Sequence, residues 1–344
     1  MRILFNTIKS DNIVNINVLY SLENEISKHA ECKWVGEGWE DHVPGETIDQ
    51  SIRRLYGNDH PNWVISNRAN IEKYRATASS GNKNNRSYKM ILTLADLHVH
   101  PEKWVTTANM GFDAALMRYM FSPFVKKELF GIYKYYIKFD PNYYQNNLET
   151  TNLHFPWFTD SNIYGLADEK DFDVIFLGSS GRKVYPLRNR IVRELPSLSK
   201  VNNWRYLLRG RPPGATHQRN IPDLISKGFI VGEKYAEVLA RTKIFIFGSS
   251  IFRYPLSKFF EVMGSGALVL ADEPQSAEEL HFRSGENYVE INQDNWKEKL
   301  EYYLEDDQER ERIARRGYET AMKYHSTEVR AKQLINFLKR MDYS

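Results

Sequence analysis

Short unbroken apolar runs alternate along this chain with longer polar segments that carry helical spacing. Arg2 to Phe5, Cys32 to Val35, Trp63 to Ser66 and Met90 to Ala95 read as strands in the first half. Runs of this length without alternation suit strands covered on both faces, as in a parallel sheet. Val18, Leu19, Leu22 and Ile26 fall at helical spacing between the first two runs. The opening is therefore strand, helix, strand. Phe112 to Phe121 is expected to be helical, and Leu153 to Asp160 a short strand and turn. The second half repeats the pattern. Asp173 to Gly178, Trp204 to Gly210, Lys243 to Gly248 and Ala267 to Ala271 read as strands. Asn189 to Leu195, Trp296 to Tyr303, Glu309 to Tyr324 and the stripe Leu334, Ile335, Leu338 read as helices. Two α/β domains of doubly wound type are expected, with ligands beyond the carboxyl ends of the strands. Ser161 to Lys170 is the best linker, which divides the chain into residues 1–165 and 166–325.

One stretch of the second half concentrates chemistry. Tyr254-Pro-Leu-Ser-Lys-Phe-Phe-Glu-Val-Met-Gly-Ser-Gly266 reads as a short helix with a glycine stop, followed by a buried strand. Pro255 suits a first helical turn, and Gly264 with Gly266 ends the helix. The helix start offers free N–H groups and the positive end of a dipole to an anion. Lys258 adds a cation there, and Glu261, one turn on, suits sugar hydroxyls. Upstream, Gly178-Ser-Ser-Gly-Arg182 follows a strand and leads through Tyr185-Pro-Leu to Arg188. Small residues let the backbone approach a diphosphate, and arginine grips it with two donors. Arg209 ends the next strand, and Ser249 and Ser250 follow the one after.

In the first half, Met90 to Ala95 delivers Asp96, His98 and His100. In continued extended conformation these three project on one face. A carboxylate and two imidazoles at a strand's carboxyl end suit a general base. A structural polar cluster and a metal site are the competing readings. Asp171-Phe-Asp173 has the Asp-x-Asp spacing of metal-dependent sugar transferases, but it precedes its strand, so no metal is assigned to it.

Composition narrows the class. Of 344 residues, 47 are basic and 44 acidic, for a net charge of +3, too balanced to argue nucleic-acid binding for the whole chain. Basic stretches remain, above all the loop around Ser79 to Ser87 with Lys83 and Arg86, and the lysine- and tyrosine-rich Phe124 to Asn147. The single Cys32 excludes an internal disulfide and a cysteine-built zinc cage. No apolar run reaches the ~18 residues of a membrane span, and the start is too soon polar for a signal peptide. A cytoplasmic protein is expected.

Asp173-Val-Ile-Phe-Leu-Gly-Ser179, Tyr185-Pro-Leu-Arg188, Ser257-Lys-Phe-Phe-Glu-Val-Met-Gly-Ser-Gly266, Gly285-Glu-Asn-Tyr-Val289 and Tyr324-His325 together resemble the GT-B glycosyltransferases. The likeness is to the CgeB-type and group-1-like enzymes and covers about residues 170 to 335. It implies two Rossmann-like domains facing a cleft, with a last helix, about 326–344, returning to the first. It also implies a nucleotide-sugar donor, UDP-linked by preference, and no further cofactor. Gly178, Ser179, Arg182, Arg188, Arg209, Tyr254, Ser257, Lys258 and Glu261 would line the donor site. The acceptor is a glycan, lipid, protein or modified DNA. Group-1 enzymes carry a further Glu eight residues before the second one, and here that position is Arg253. Inversion and retention both stay open, and so does a degenerate protein that binds sugar nucleotides without turnover. Leu94-Ala-Asp96, Gly178 to Arg182 with Arg188, and Lys258 to Glu261 are also similar to the phage DNA β-glucosyltransferases. That likeness implies an inverting displacement with Asp96 as base.

Overall fold

The computed structural model describes residues 1–9, 18–67, 86–120, 124–127, 135–138, 140, 142–212 and 221–343. The basic loop expected at Ser79 to Ser87 lies outside them except for Arg86 and Ser87, as do His217 and Arg219. The chain forms two compact units. One contains residues 1–9, 22–156 and 331–344, the other residues 10–21 and 157–330.

The first unit is built on a parallel sheet. Its strands are β1 (Arg2–Asn6), β2 (Glu31–Val35), β3 (Trp63–Asn67), β4 (Lys89–Leu94) and β5 (Ala114–Met117). An antiparallel pair, β6 (Phe124–Lys127) and β7 (Tyr135–Lys138), stands apart, and β8 (Thr151–His154) completes the six-stranded sheet in the order β2-β1-β3-β4-β5-β8. Ile3, Leu4, Val64, Ile91 and Leu92 are fully buried, which is why these strands read as unbroken apolar runs. The helices are α1 (Val18–Ser27), α2 (Ile48–Tyr56), α3 (Pro101–Gly111) and α4 (Tyr143–Asn147). A reciprocal cap starts α2. Thr47 Oγ1 accepts from the Gln50 N–H at 3.1 Å, and Gln50 Oε1 accepts from the Thr47 N–H at 2.7 Å.

The helix expected over Phe112 to Phe121 is not formed. The helix here is α3, which ends at Gly111, and Ala114–Met117 is strand β5 between β4 and β8. All four β5 residues are buried, so the run carries no one-sided pattern to tell strand from helix.

The second unit repeats the plan. Its elements are β9 (Phe172–Leu177), α5 (Pro186–Val201), β10 (Tyr206–Arg209), α6 (Ile221–Ser226), α7 (Glu233–Ala240), β11 (Thr242–Ile246), α8 (Ser257–Gly264), β12 (Leu268–Ala271) and β13 (Val289–Glu290). Helices α9 (Trp296–Glu305), α10 (Asp307–His325) and α11 (Thr327–Tyr343) follow. The sheet is parallel, in the order β10-β9-β11-β12-β13. From β9 the chain goes first to one side, to β10, and then to the other, to β11. The switch point is therefore between β9 and β11. In the first unit the same reversal falls between β1 and β3.

Helix α8 is locked into this core. Phe259 packs edge to face on Phe247 at 4.9 Å, and Phe260 on the His325 ring at 5.0 Å. A Cβ on Gly264 would run into the Thr159 side chain, 2.9 Å from its Cβ, so only glycine fits at the end of α8. His325 donates from Nε2 to the Leu280 carbonyl at 2.8 Å and accepts at Nδ1 from Arg330. The arginine, a donor only, fixes that tautomer. His325 thus ties α10 and the start of α11 to the loop ahead of β13. Residues of α11 from 331 on count with the first unit. There Gln333 donates to the His154 carbonyl at 3.0 Å, and Asp342 accepts from Trp63 Nε1 at 3.0 Å.

Candidate functional site

The switch point of the second sheet is where ligands bind in open α/β folds. Two loops meet there, Gly178 to Tyr185 after β9 and Phe247 to Leu256 after β11. Gly178 turns the chain at φ 147, outside the range of ordinary L-residues, and its amide donates to the Arg209 carbonyl at 3.0 Å. Asn189, in the first turn of α5, fixes the rest of the loop. It accepts from the Gly181 amide at 2.6 Å and donates to the Arg182 carbonyl at 2.9 Å. Pro186 occupies the first turn of α5, where its missing N–H costs nothing.

Arg188 projects from that helix and is 5% exposed. Its guanidinium donates to the Gly248 carbonyl and, at 3.2 Å, to the Ser179 carbonyl, so one side chain spans both loops. It also lies over the Tyr185 ring at 4.1 Å. Lys258, in the first turn of α8, donates to the Leu177 carbonyl, and its ammonium occupies the space a side chain at residue 178 would take. The Phe245 ring lies 5.4 Å from it. Burial pushes Lys258 well below the usual lysine range, and Arg188 beside it adds to the shift. Burial also lowers Arg188. Among the described residues no carboxylate is within ion-pair distance of either cation.

Glu261, one turn along α8, is 4% exposed. Tyr235 on α7 donates its hydroxyl to Oε2 at 2.9 Å, and Ser257 supplies a further hydrogen bond. Burial raises the Glu261 pKa, while those two bonds and Lys258 oppose the rise. The Tyr164 ring packs in the same cluster with its hydroxyl buried and unpaired. Behind the site, Asp272 accepts from the Ser249 amide at 2.5 Å and its hydroxyl at 2.9 Å, bracing the loop after β11.

The other expected donor residues are placed differently. Arg182 is exposed on the loop, its carbonyl held by Asn189. Arg209 is exposed at the end of β10 and folds back onto the Leu208 carbonyl at 2.9 Å. Tyr254 is buried and stacks on Phe252 at 5.8 Å. Pro255 precedes the N-cap Leu256 instead of entering the first turn of α8. Arg253, where a second carboxylate was looked for, is exposed, left-handed at φ 50, and its carbonyl accepts from the Gln275 amide at 2.6 Å. Asn189 and Tyr235 were not singled out from sequence. Both act through tertiary contacts that no local pattern marks.

Asp96, His98 and His100 do not share one strand face. Extended backbone stops at Leu94, Asp96 is left-handed at φ 48, and the Val99 amide donates to the Asp96 carbonyl at 2.8 Å. His100 is left-handed too, at φ 53, and precedes α3 as its N-cap position. The reason is the onset of a helix with proline in its first turn, which bends the chain away from the strand path. Asp96 and His100 remain exposed beyond the carboxyl end of β4.

A second polar set gathers at the switch point of the first sheet. Asn6 donates to Ser66 Oγ at 3.2 Å across β1 and β3. Glu23 on α1, 9% exposed, accepts at Oε2 from Trp34 Nε1 at 2.9 Å and Thr7 Oγ1 at 3.3 Å. Burial pushes the Glu23 carboxyl up to about 8, against the pull of those two bonds. No local pattern marks this group, because its α1 neighbours look like any amphipathic helix.

Asp171 and Asp173 are engaged in ion pairs, Asp171 with Arg241 and Asp173 with Lys243 at 2.9 Å. Among the described residues no helix is long and apolar enough to cross a membrane.

Residues 188–336 match the glycosyl transferase-like family, which covers α5 from Arg188 on and all of α8, while the Gly178 to Tyr185 loop lies ahead of the match. No curated protein matches the sequence. Among solved structures, sucrose-phosphate synthase from Thermosynechococcus elongatus is similar over 100% of this chain and 99% of its own, at 11% identity and TM-score 0.62. Anabaena Alr3699/HepE in complex with UDP and glucose is similar over 99% of this chain and 100% of its own, at 12% identity and TM-score 0.60. A glycosyltransferase from Rickettsia africae is similar over 99% and 98%, at 12% identity and TM-score 0.62. At these identities the likeness is one of fold, and the fold is GT-B.

Proposed function

We propose that this chain, a GT-B protein whose residues 188–336 match the glycosyl transferase-like family, moves a sugar from a UDP-linked donor to an acceptor hydroxyl. The observation that carries the reading is the pair of buried cations at the second switch point. Arg188 donates to the Gly248 and Ser179 carbonyls and bonds Tyr185, Lys258 donates to the Leu177 carbonyl, and among the described residues neither forms an ion pair with a carboxylate. Glu261 and Asp272 act on these cations only from beyond ion-pair distance, and a buried charge without a close counter-charge is costly. A donor diphosphate supplies the missing negative charge. UDP and glucose bound to the fold relative from Anabaena support a UDP-linked donor.

In this reading Gly178 and Ser179 bring backbone close to the diphosphate, and the start of α8 adds its dipole. Arg182, exposed on the same loop, approaches from the solvent side. Glu261, oriented by Tyr235 and Ser257, accepts hydrogen bonds from donor hydroxyls. As the glycosidic bond breaks, negative charge grows on the leaving diphosphate. Lys258 and Arg188, already in place, stabilise it without reorganisation. The reading assigns no metal a part in this step. On the first unit, Asn6, Thr7, Ser66 and Glu23 include no lysine or arginine. That set suits a neutral, hydroxylated acceptor such as a glycan.

Asp96 takes the acceptor proton. Asp96→Asn is expected to lower transfer, followed as UDP release, by about 10² to 10⁴ with unchanged affinity for UDP-glucose. An unchanged rate would remove Asp96 from the mechanism. The reading as a whole is tested by turnover of a UDP-sugar and its loss in Glu261→Ala.

A further inference from the structure

Lys258 is held in an unusual setting for a donor-binding cation. Among the described residues its ammonium has a single hydrogen-bond partner, the Leu177 carbonyl. Gly178 closes against it, leaving no room for a side chain between them. The charged groups that bear on it are Arg188 on α5, Arg211 beyond β10 and Glu261 on its own helix. The two arginines oppose its charge, and Glu261 favours it. Glu261 is itself buried and bonded to Tyr235, so its carboxylate is already partly committed. Phe245 on β11 contributes only the face of its ring.

Two buried cations side by side, facing carbonyls, are a poor arrangement for the empty site and a good one for a site filled by an anion. We propose that the empty site sheds the Lys258 proton more readily than an exposed lysine does and that a docking diphosphate restores it, so that donor binding is coupled to proton uptake. This rests on the reading of the second switch point as the donor site. The chemical balance is simple. The free amine takes one proton from solvent or buffer, and the resulting ammonium pairs with a phosphate oxygen. The direction of the burial effect on Lys258 agrees with this.

Linkage fixes the consequences. Below the pKa of Lys258 in the empty site, the amine is already charged and binding takes up little. Above it, binding must first charge the amine, and affinity falls by about tenfold for each pH unit. The fall continues until the pKa of the filled site is reached. A diphosphate diester such as UDP-glucose keeps its own charge throughout, so the proton belongs to the protein.

The experiment is calorimetric titration of the full chain with UDP-glucose at about pH 8, in HEPES and in Tris, neither of which is an anionic phosphate that could compete for the site. These buffers differ strongly in ionisation enthalpy. The expected result is a binding enthalpy that differs between them, corresponding to uptake of most of one proton, with Kd rising about tenfold per pH unit through the alkaline range. Lys258→Met is expected to bind more weakly, with no difference between buffers and a Kd flat in pH. UDP-glucose binding to the unaltered chain with buffer-independent enthalpy and pH-independent Kd would overturn the coupling alone. Failure to bind at any pH would overturn the donor-site reading together with it. A buffer difference that survives in Lys258→Met would assign the proton to another group and overturn the proposal.

Discussion

Glu261→Ala is expected to lower sugar transfer by about 10³-fold while leaving the protein folded. Glu261 is a carboxylate 4% exposed, held by Tyr235 at 2.9 Å and by Ser257. A hydrogen bond to a charged group contributes about 1.5–3 kcal/mol. Losing two to donor hydroxyls, and with them the donor's orientation, reaches that factor. The fold should tolerate the change, because burial already works against the ionised carboxyl. Glu261→Gln separates the effects. It keeps an acceptor for Tyr235 but loses the charge, and is expected to retain about a tenth to a hundredth of the activity. Activity, measured as UDP release, and melting temperature are read on the same samples. Full activity in Glu261→Ala would remove the residue from the site. A chain that binds the donor but never turns it over would favour a degenerate binding protein.

Arg188→Met is expected to weaken UDP-glucose binding by about 10² or more. The guanidinium bonds the Ser179 carbonyl at 3.2 Å and the Gly248 carbonyl, joining the loops after β9 and β11. Methionine fills similar space but removes a charge and leaves two carbonyls without a donor. One charge-assisted bond of about 3 kcal/mol corresponds to slightly more than a hundredfold in Kd. Loosening of the Gly178 to Tyr185 loop adds to the loss. Arg188→Lys restores the charge but cannot span both carbonyls with a rigid fork. It is expected to recover only part of the affinity. Equal recovery would show that charge alone matters and that the bridge between loops does not.

Much of the site was readable from residue order. Lys258 and Glu261 lie one turn apart on a helix that glycine terminates, as the stretch from Tyr254 to Gly266 suggested. Arg188 follows the loop after β9, as expected. The strands were readable because a parallel sheet buries both faces and leaves unbroken apolar runs. The same property misled at Ala114–Met117, where four buried residues carry no period. Helix α2 went unnoticed although Thr47-Ile-Asp-Gln50 is a capping signal. At Asp96 to His100 the alternation of a strand was extended past its end. Pro101 marked a helix start, and the turn before it broke the alternation. Asn189, Tyr235 and Glu23 are different in kind. Their roles come from partners 7 to 26 positions away, and no spacing rule reaches them.

The two switch points share a logic. In the second unit the buried cations Arg188 and Lys258 gather at the switch point between β9 and β11. In the first, Asn6, Thr7, Ser66 and the buried Glu23 carboxyl gather at the switch point between β1 and β3. In the proposed function, the second unit takes the anionic donor and the first a neutral hydroxyl. That division of labour is what transfer from a charged donor to an uncharged acceptor requires.

The central claim is that the second unit binds a nucleotide-sugar diphosphate. The most direct measurement is a thermal-shift comparison of the full chain with UDP, UDP-glucose and inorganic phosphate at equal concentration. A ligand that binds only the folded state raises the melting temperature by mass action, and at about 100 times Kd the stabilisation is ~2.7 kcal/mol. A rise of several °C with UDP and UDP-glucose, small with phosphate and absent in Arg188→Met, is the predicted result. No rise with either nucleotide at millimolar concentration would contradict the account.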